Sequence, residues 1–353
     1  MYTHASWSCS VYGILVLFYQ DINRILKGDF MAIQKSNFTF TSASKKKVEI
    51  NCFKWCDDAV KPIGVVIITH GLSENVEMFE DQARFLAENG YICMGMDFLG
   101  HGTTNGPGCV GITPNDTNEA IWKDMYKIYC IAKEEYPDLP VFSFSHSMGS
   151  MMIRTFLAMY GDKLDIKACF LTGDSALPSF LYKLVPAANI LGNILTRYDK
   201  DLKKRRETFK MTDYGQNVPF ARLLPFFWLS FDKQNRINYV NSPYSGGANA
   251  DFRHVITFVI KALSTFAYAD KKGWAEKIPD NTVIHHGCGH WDIPGFLGFG
   301  PKTVHKKLLE AGKKTELHLY LRALHEVHAE KGIRKQFHRD LLRLFNDNNP
   351  LLK

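Results

Sequence analysis

The stretch between residues 139 and 161 constrains the fold most strongly, because it joins a predicted strand to a predicted helix without a connecting loop. The apolar residues LPVFSF at 139–144 predict the strand, and MGSMMIRTFLAMYG at 148–161 predicts the helix. Small residues lie two positions before and two after the central Ser147. Such residues let a helix pass close to a strand, and the strained turn leaves the serine hydroxyl exposed above a sheet.

Apolar runs and helical patterns alternate along most of the chain. Several of the runs are continuously apolar, which is typical of a parallel sheet covered on both faces. The alternation therefore predicts an α/β fold with a mostly parallel, doubly wound sheet. The predicted strands are 48–54, 64–69, 91–96, 139–144, 167–172, 281–286 and 316–321. The predicted helices are 79–89, 117–136, 148–161, 302–312 and 333–345.

The alternation predicts where the chain divides. Residues 175–278 interrupt it with a stretch that is rich in Leu, Phe, Tyr and Trp and lacks clear strands, and we interpret this stretch as a mostly helical insertion. The two parts of the core are then 35–174 and 279–353, and 1–34 is an N-terminal extension.

The N-terminal extension contains an apolar run, VYGILVLFY at 11–19. The run has nine residues, whereas a membrane-spanning helix needs about 20. A basic leader, as found in signal peptides, does not precede it. The sequence from Met31 onward reads as a natural protein start, so we expect Met31 to mark the true or functional beginning of the protein.

Composition excludes several classes of function. The 353 residues carry a formal charge of +7, and no stretch is dense enough in Lys and Arg to indicate nucleic-acid binding. The eight cysteines form no disulfide framework, which indicates a reduced, cytoplasmic protein. Cys52 and Cys56 lack a second ligand pair farther along the chain, so we expect no metal there. Nothing in the sequence implies a metal or an organic cofactor.

Three segments could supply the groups for acyl transfer. The turn at Ser147 resembles a nucleophile elbow, although the pattern G-x-S-x-G has Ser145 at its first position. His70-Gly71 ends the strand at 64–69, so the backbone N–H of Leu72 could stabilise an oxyanion together with that of Met148. The third segment, DFLGHG at 97–102, closes the next strand.

The acid and the base are expected after the nucleophile in the chain. Asp292 follows the strand at 281–286, and His325 follows the strand at 316–321. Both lie at carboxyl ends of predicted strands, where open α/β sheets place their sites. Chain order alone also allows Asp174 as the acid and His328 as the base. His318 lies within a strand and is interpreted as structural.

Five motifs together resemble the monoacylglycerol lipase and lysophospholipase group of α/β-hydrolases, whose shared domain is labelled serine aminopeptidase-like. In order, they are HGLSENVEMF, DFLGHG, S-H-S-M-G, GHWDIPG and LYLRALHE, and the resemblance covers roughly 35–346. The sequence departs from the group in three motifs. Ser145 replaces the elbow glycine, DFLGHGTT lacks the arginine and serine of D-x-R-G-H-G-x-S, and GHWDIPG differs from G-D-x-D-P-V-G.

The resemblance implies a role for each candidate residue. Ser147 would be the nucleophile, Asp292 the acid and His325 the base, with the N–H groups of Leu72 and Met148 forming the oxyanion hole. The residues that would support them are His70, Gly71, Ser145, His146 and Gly149.

The resemblance also implies an activity. The chain would be a serine hydrolase that cleaves carboxylic esters of single-acyl lipids, needs no cofactor, and carries 175–278 as a cap that could contact a membrane surface transiently. Two alternatives stay open: an aminopeptidase-like hydrolase on the same scaffold, and a non-catalytic binding protein that kept the fold. The presence of Ser147 at the nucleophile position argues against dehalogenases and epoxide hydrolases, which use an acid there.

Overall fold

The computed structural model of the protein describes residues 33–176, 226–245 and 273–353, together with the separate positions 187, 190, 203 and 204. Within these residues, eight strands form one sheet in the order β1-β2-β4-β3-β5-β6-β7-β8. The strands are β1 (Ile33–Thr41), β2 (Glu49–Asp57), β3 (Gly64–Thr69), β4 (Tyr91–Met96), β5 (Val141–His146), β6 (Ile166–Thr172), β7 (Val283–Gly289) and β8 (Thr315–Tyr320).

The sheet is mostly parallel, which confirms the predicted fold class. The strand β2 pairs antiparallel with both β1 and β4, and every other neighbouring pair is parallel. After β3 the chain forms β4 on one side and then crosses to β5 on the other. Ligand sites of open α/β sheets lie at such a reversal of strand order, beyond the carboxyl ends of the strands.

Helices cover both faces of the sheet, as its continuously apolar strands predict. Buried residues of α3, α4 and α6 pack with Val65 and Ile67 on one face, whereas α1 and α7 pack with Val66 and Ile68 on the other. The helices in the described ranges are α1 (Glu80–Glu88), α2 (Gly102–Asn105), α3 (Thr117–Glu135), α4 (Met148–Tyr160), α5 (Lys233–Asn241), α6 (Phe299–Glu310) and α7 (Arg334–Asp347).

The edge strand β1 is the main element that the sequence analysis did not predict. Its sequence, IQKSNFTFT, is largely polar, and most of its residues are exposed or half-buried. An edge strand pairs on one side only and faces solvent, so it carries little of the apolar signal on which strand prediction depends. It begins at Ile33, inside the stretch that the sequence assigned to the N-terminal extension.

The predicted insertion at 175–278 is described only at 175–176, 226–245 and 273–278, apart from the four separate positions. The helix α5 belongs to the middle stretch. The rest of the insertion, the apolar run at 11–19 and the expected start at Met31 lie outside the described residues. The seven cysteines of the described part are all free thiols. Across the described residues, no helix is both long enough and apolar enough to span a membrane.

A buried arginine fastens α4 to the end of β6. Arg154 is fully buried, and its guanidinium lies 3.0 Å from Oδ1 of Asp174. The same guanidinium donates to the carbonyl of Ser175 at 2.7 Å and lies 4.9 Å from the ring centre of Trp274. Because α4 begins beside Ser147, this anchor also fixes the position of the predicted elbow.

Loss of this arginine is expected to destabilise the protein. Replacing Arg154 with Met would leave the buried Asp174 carboxylate without its cationic partner, which costs about 3–5 kcal/mol in comparable pairs. Urea unfolding followed by circular dichroism measures the change. The double variant Arg154→Met/Asp174→Asn should recover part of the loss. Equal stability of the single variant and the wild type would contradict the role given to the pair.

Candidate active site

Ser147 sits at a strained junction between β5 and α4. Its φ is 52° and its ψ is −118°, in a region that non-glycine residues rarely adopt. The N–H of Ser147 donates to the carbonyl of Thr172 on the neighbouring β6 at 2.8 Å, which holds the backbone in place. The serine is half-buried while its chain neighbours His146 and Met148 are buried, so its side chain stands at the surface of the sheet's carboxyl edge.

Gly149 allows α4 to pass over the end of β3. A Cβ at this position would lie 2.3 Å from the carbonyl oxygen of Thr69 and 2.7 Å from that of His70, which are backbone atoms that cannot move aside. Gly71 is also confined, because an added Cβ would lie 2.7 Å from Oε2 of Glu74 and 3.0 Å from the Cβ of Ser147. The loop after β3 therefore lies directly against the serine.

Ser145 takes the place of the usual elbow glycine without leaving its hydroxyl unsatisfied. The residue is fully buried, and its Oγ accepts a hydrogen bond from Oγ1 of Thr69 and lies 3.0 Å from Oγ of Ser143. Ser143 in turn donates to the carbonyl of Ile67 at 3.1 Å. The side chain of Ser145 is thus part of a series of hydrogen-bonded hydroxyl groups between β5 and β3.

His325 connects Ser147 to Asp292. Its Nε2 lies 2.9 Å from Oγ of Ser147, and its Nδ1 lies 2.8 Å from Oδ1 of Asp292. The carboxylate also accepts the N–H of Gly295 at 2.9 Å. Asp292 and His325 are almost completely buried, so the serine is the part of this chain of hydrogen bonds that a substrate can reach.

Burial and charge act in opposite directions on this pair. Burial alone would lower the pKa of His325, but the charge and hydrogen bond of Asp292, with further contributions from Glu74 and Glu326, raise it above its ordinary value. Burial alone would raise the pKa of Asp292, but His325 and the N–H of Gly295 keep it below its ordinary value. Near neutral pH the carboxyl is therefore ionised and can hold the imidazole in one tautomer.

The other candidates for acid and base have different partners. Asp174 is paired with Arg154, as described above, and its second oxygen lies 3.4 Å from Nδ1 of His286. The ring of His328 stacks on Phe79 with 4.6 Å between ring centres. His318 lies within β8 and its Nε2 is 3.1 Å from Nδ1 of His285.

His70 supports the loop after β3. Its Nδ1 is 2.8 Å from the carbonyl of Gly71, and its Nε2 accepts the N–H of Phe98 at 3.0 Å. Burial lowers the pKa of His70 to about 4, so the ring is neutral and keeps both contacts. The motif DFLGHG also fixes this loop, because Oδ1 of Asp97 accepts the N–H of Val76 at 2.9 Å.

The two backbone N–H groups predicted to form the oxyanion hole belong to Met148 and Leu72. Met148 is the first residue of α4, where backbone N–H groups have no acceptor within the helix. Leu72 directly follows Gly71, which contacts Ser147. Both N–H groups are thus carried by segments that adjoin the serine.

Two buried glutamates near His325 were not anticipated from the sequence. Oε2 of Glu74 accepts the N–H of Gly71 at 2.6 Å, and its Oε1 lies 3.3 Å from Nε2 of His146. Glu326 accepts a hydrogen bond from the side chain of Asn235 in α5. Their positions in the sequence could have drawn attention to them, since Glu74 follows His70-Gly71 closely and Glu326 is adjacent to His325. The sequence does not reveal, however, that these two acids are buried.

Burial changes the ionisation of these groups. It raises the pKa of Glu74 to about 7 despite the hydrogen bond from Gly71, and it raises the pKa of Glu326 to about 8, with the charge of Glu74 adding to the effect. Burial also lowers the pKa of His146 well below its ordinary value, helped by the charge of His325. The surroundings of His325 therefore change charge in the neutral pH range.

The described residues 226–245 of the insertion contact the loop after β8, which carries His325. The backbone N–H groups of His325 and Glu326 donate to the carbonyls of Trp228 and Leu229 at 3.3 and 2.7 Å. The indole of Trp228 lies 5.5 Å from the imidazole of His325 between ring centres. Residues 226–245 thus form one wall of the site.

Known proteins match parts of this sequence. The family described as serine aminopeptidase, S33, matches residues 60–248. The monoacylglycerol lipase of Mycolicibacterium smegmatis is 28% identical over 142 residues, which are 40% of this chain and 48% of that protein. A monoglyceride lipase homolog of Monkeypox virus is 29% identical over 89 residues, or 25% of this chain and 31% of that protein. The chain thus spans half or less of the length of these relatives.

Solved structures share the fold at low sequence identity. A thermostable carboxyl esterase from Bacillus coagulans has a TM-score of 0.69 at 24% identity, with 89% of this chain and 98% of that chain covered. A soluble variant of the monoglyceride lipase from Saccharomyces cerevisiae has a TM-score of 0.63 at 18% identity, with 90% and 96% covered. Since the family match covers more than half of the chain and agrees with this sheet, the protein belongs to the serine aminopeptidase S33 family of α/β-hydrolases.

Proposed function

We propose that the protein hydrolyses carboxylic esters of single-acyl lipids through an acyl-enzyme formed on Ser147. The observation that supports this most directly is the continuous path from Oγ of Ser147 through the imidazole of His325 to the buried carboxylate of Asp292, with contacts of 2.9 and 2.8 Å. These contacts support the proposal because acyl transfer needs a nucleophile within hydrogen-bond reach of a base, and a third group that orients the base.

The reaction would proceed in two halves. Oγ of Ser147 attacks the ester carbonyl carbon while Nε2 of His325 takes its proton, and the tetrahedral intermediate collapses as that proton passes to the leaving alcohol. Water then attacks the acyl-enzyme, giving its proton to His325, and the fatty acid leaves as the proton returns to Oγ. Asp292 stabilises the imidazolium in both halves.

Developing negative charge on the carbonyl oxygen would be met by the N–H groups of Leu72 and Met148. Met148 begins α4, so the partial positive charge of the helix N-terminus adds to its hydrogen bond. The closeness of Gly71 to Ser147, and the fixing of that glycine by Glu74, would hold the Leu72 donor in place before the substrate arrives.

The substrate class is supported by the relatives that match in sequence. The Mycolicibacterium smegmatis and Monkeypox virus proteins are named as a monoacylglycerol lipase and a monoglyceride lipase homolog. On this basis the acyl group would be a single fatty acyl chain, and the leaving group would be glycerol.

Ser147→Ala is expected to abolish esterase activity while the fold persists. Loss of a triad nucleophile lowers turnover by about 10⁴–10⁶-fold. The measurements are hydrolysis of a p-nitrophenyl ester and labelling by a fluorophosphonate probe, with circular dichroism as the check on folding. Ser36→Ala, on the exposed edge strand β1, is the matched control and should leave both signals unchanged. Activity of Ser147→Ala within tenfold of wild type would contradict the assignment.

The two buried aspartates give a second test of the mechanism. Asp292→Asn keeps the shape of the side chain but favours the wrong tautomer of His325, which costs about 10⁴-fold in turnover in a comparable triad. Asp174→Asn should retain most activity, because Asp174 contacts Arg154 and not His325. Turnover is compared at saturating substrate on folded proteins. The opposite ranking would move the acid to Asp174.

Glu74 should influence the pH profile of the reaction. Because the charge of Glu74 contributes to the raised pKa of His325, Glu74→Gln should lower that pKa and shift the acidic limb of kcat/KM to lower pH. The amide can still accept the N–H of Gly71, so the loop should persist. Glu119→Gln, at an exposed position of α3, is the control. An unchanged acidic limb would show that Glu74 does not act on His325.

A substrate panel separates the proposal from its alternatives. Monoacylglycerols, lysophospholipids, short p-nitrophenyl esters and aminoacyl anilides are offered to the full chain. Preference for single-acyl lipids supports the proposal, and cleavage of anilides with a free amino group would identify an aminopeptidase. Absence of both cleavage and probe labelling in folded protein would favour a binding protein.

A further inference from the structure

Two histidines and a glutamate meet on one face of β7 and β8, away from the strand ends that carry Asp292 and His325. His285 is paired in register with Glu316 across the two strands, and His318 is paired with Gly287. Glu316 and His318 are two residues apart and so point to the same face of β8. The glycine opposite His318 has no side chain, so the imidazole of His318 can approach His285.

The distances between these groups suit a small cation. Nε2 of His318 lies 3.1 Å from Nδ1 of His285 and 3.5 Å from Oε1 of Glu316. The other oxygen of Glu316 lies 3.7 Å from Nε2 of His285. Neighbouring ligands of a tetrahedral zinc ion are about 3.3 Å apart, given bond lengths of about 2.0–2.1 Å. The contacts of 3.1 and 3.7 Å involve different ring nitrogens of His285, and only one of these can bind the ion. One ligand atom from each of the three side chains nevertheless lies within 4.8 Å of the other two, so rotation of the half-exposed Glu316 side chain would complete a ligating arrangement.

Packing restrains one of the ligands. The ring of Phe170 stacks on His318 with ring centres 5.6 Å apart, which limits the rotation of that ligand.

The helix α7 supplies the groups around this cluster. Oδ2 of Asp340 lies 3.8 Å from Nδ1 of His318 and accepts the hydroxyl of Tyr320 at 2.9 Å. A carboxylate beside the non-ligating nitrogen is a common outer partner of a metal-bound histidine. Arg343 opposes binding, because its guanidinium lies 3.3 Å from Oε1 of Glu316. Both side chains of that ion pair are half-exposed, so the pair contributes little and can open.

We propose that His285, Glu316 and His318 bind one divalent transition-metal ion of the zinc class, with water completing a tetrahedral shell. Two imidazoles and one carboxylate are a common donor set for such an ion. Because its ligands come from β7 and from β8 at the sheet edge, the bound ion would tie the last strand to the body of the sheet. The proposal does not depend on the esterase activity.

Titration of the full chain with zinc chloride after chelator treatment tests the proposal. Isothermal calorimetry should show one saturable site, and zinc should raise Tm; cobalt(II) should give the visible absorption of a tetrahedral complex. His318→Gln should weaken binding by more than the roughly 10–100-fold that loss of an outer partner costs. Arg343→Gln should bind zinc more tightly than wild type, because it removes a positive charge and releases Glu316.

Controls separate this site from other zinc contacts. His305→Gln removes a histidine of α6 that contacts Thr315 and should keep wild-type affinity. If His318→Gln does not fold, Glu316→Gln at a half-exposed side chain gives the same discrimination. The proposal is overturned if no saturable binding occurs near one equivalent, or if the His318 and Glu316 variants bind as wild type does, which would place zinc elsewhere.

Discussion

The close approach of α4 to the end of β3 is the constraint on which the rest of the site depends. Gly149 has no room for a Cβ between the helix and the carbonyls of Thr69 and His70. This contact forces the chain to turn within one residue, so Ser147 adopts a left-handed conformation and is held there by its hydrogen bond to Thr172. The same approach brings Gly71 against the serine, so one packing contact positions both the hydroxyl and the neighbouring loop.

Several acidic side chains are buried in and around the site, and their charges are stabilised in different ways. The charge of Asp174 is balanced by that of Arg154, and this ion pair anchors α4. Asp292 faces His325 and stays ionised. Within the described residues, neither Glu74 nor Glu326 forms an ion pair with a lysine or arginine, and burial raises their pKa values to about 7 and 8. In a region of low dielectric, protonation of these two acids changes the electrostatic potential at His325, so the pKa of His325 depends on the ionisation of its neighbours.

Sequence predicted the centre of the fold better than its periphery. The bounds of β3 and β4 agree with the prediction because both strands are buried throughout and read as continuous apolar runs. The edge strand β1 was missed because its exposed side chains are polar. The candidate residues at 147, 292 and 325 were found from motif and chain order, whereas Glu74 and Glu326 were not, since their importance lies in burial and in the distances created by folding.

The replaced residues in DFLGHGTT and at the elbow are accommodated by contacts close to where they occur. Thr104 stands where the pattern has serine, and its hydroxyl donates to the carbonyl of Asp97 at 2.8 Å and accepts the N–H of Asn51 at 2.9 Å. Leu99 replaces the arginine and is buried in the core, where a leucine needs no polar partner. The hydroxyl of Ser145 bonds to Thr69. Each of these replacing side chains finds its hydrogen bonds or apolar contacts in the surrounding loops and strands. None of them displaces the contacts that join Ser147, His325 and Asp292. The replacements at Leu99, Thr104 and Ser145 therefore give no physical reason to expect an inactive site.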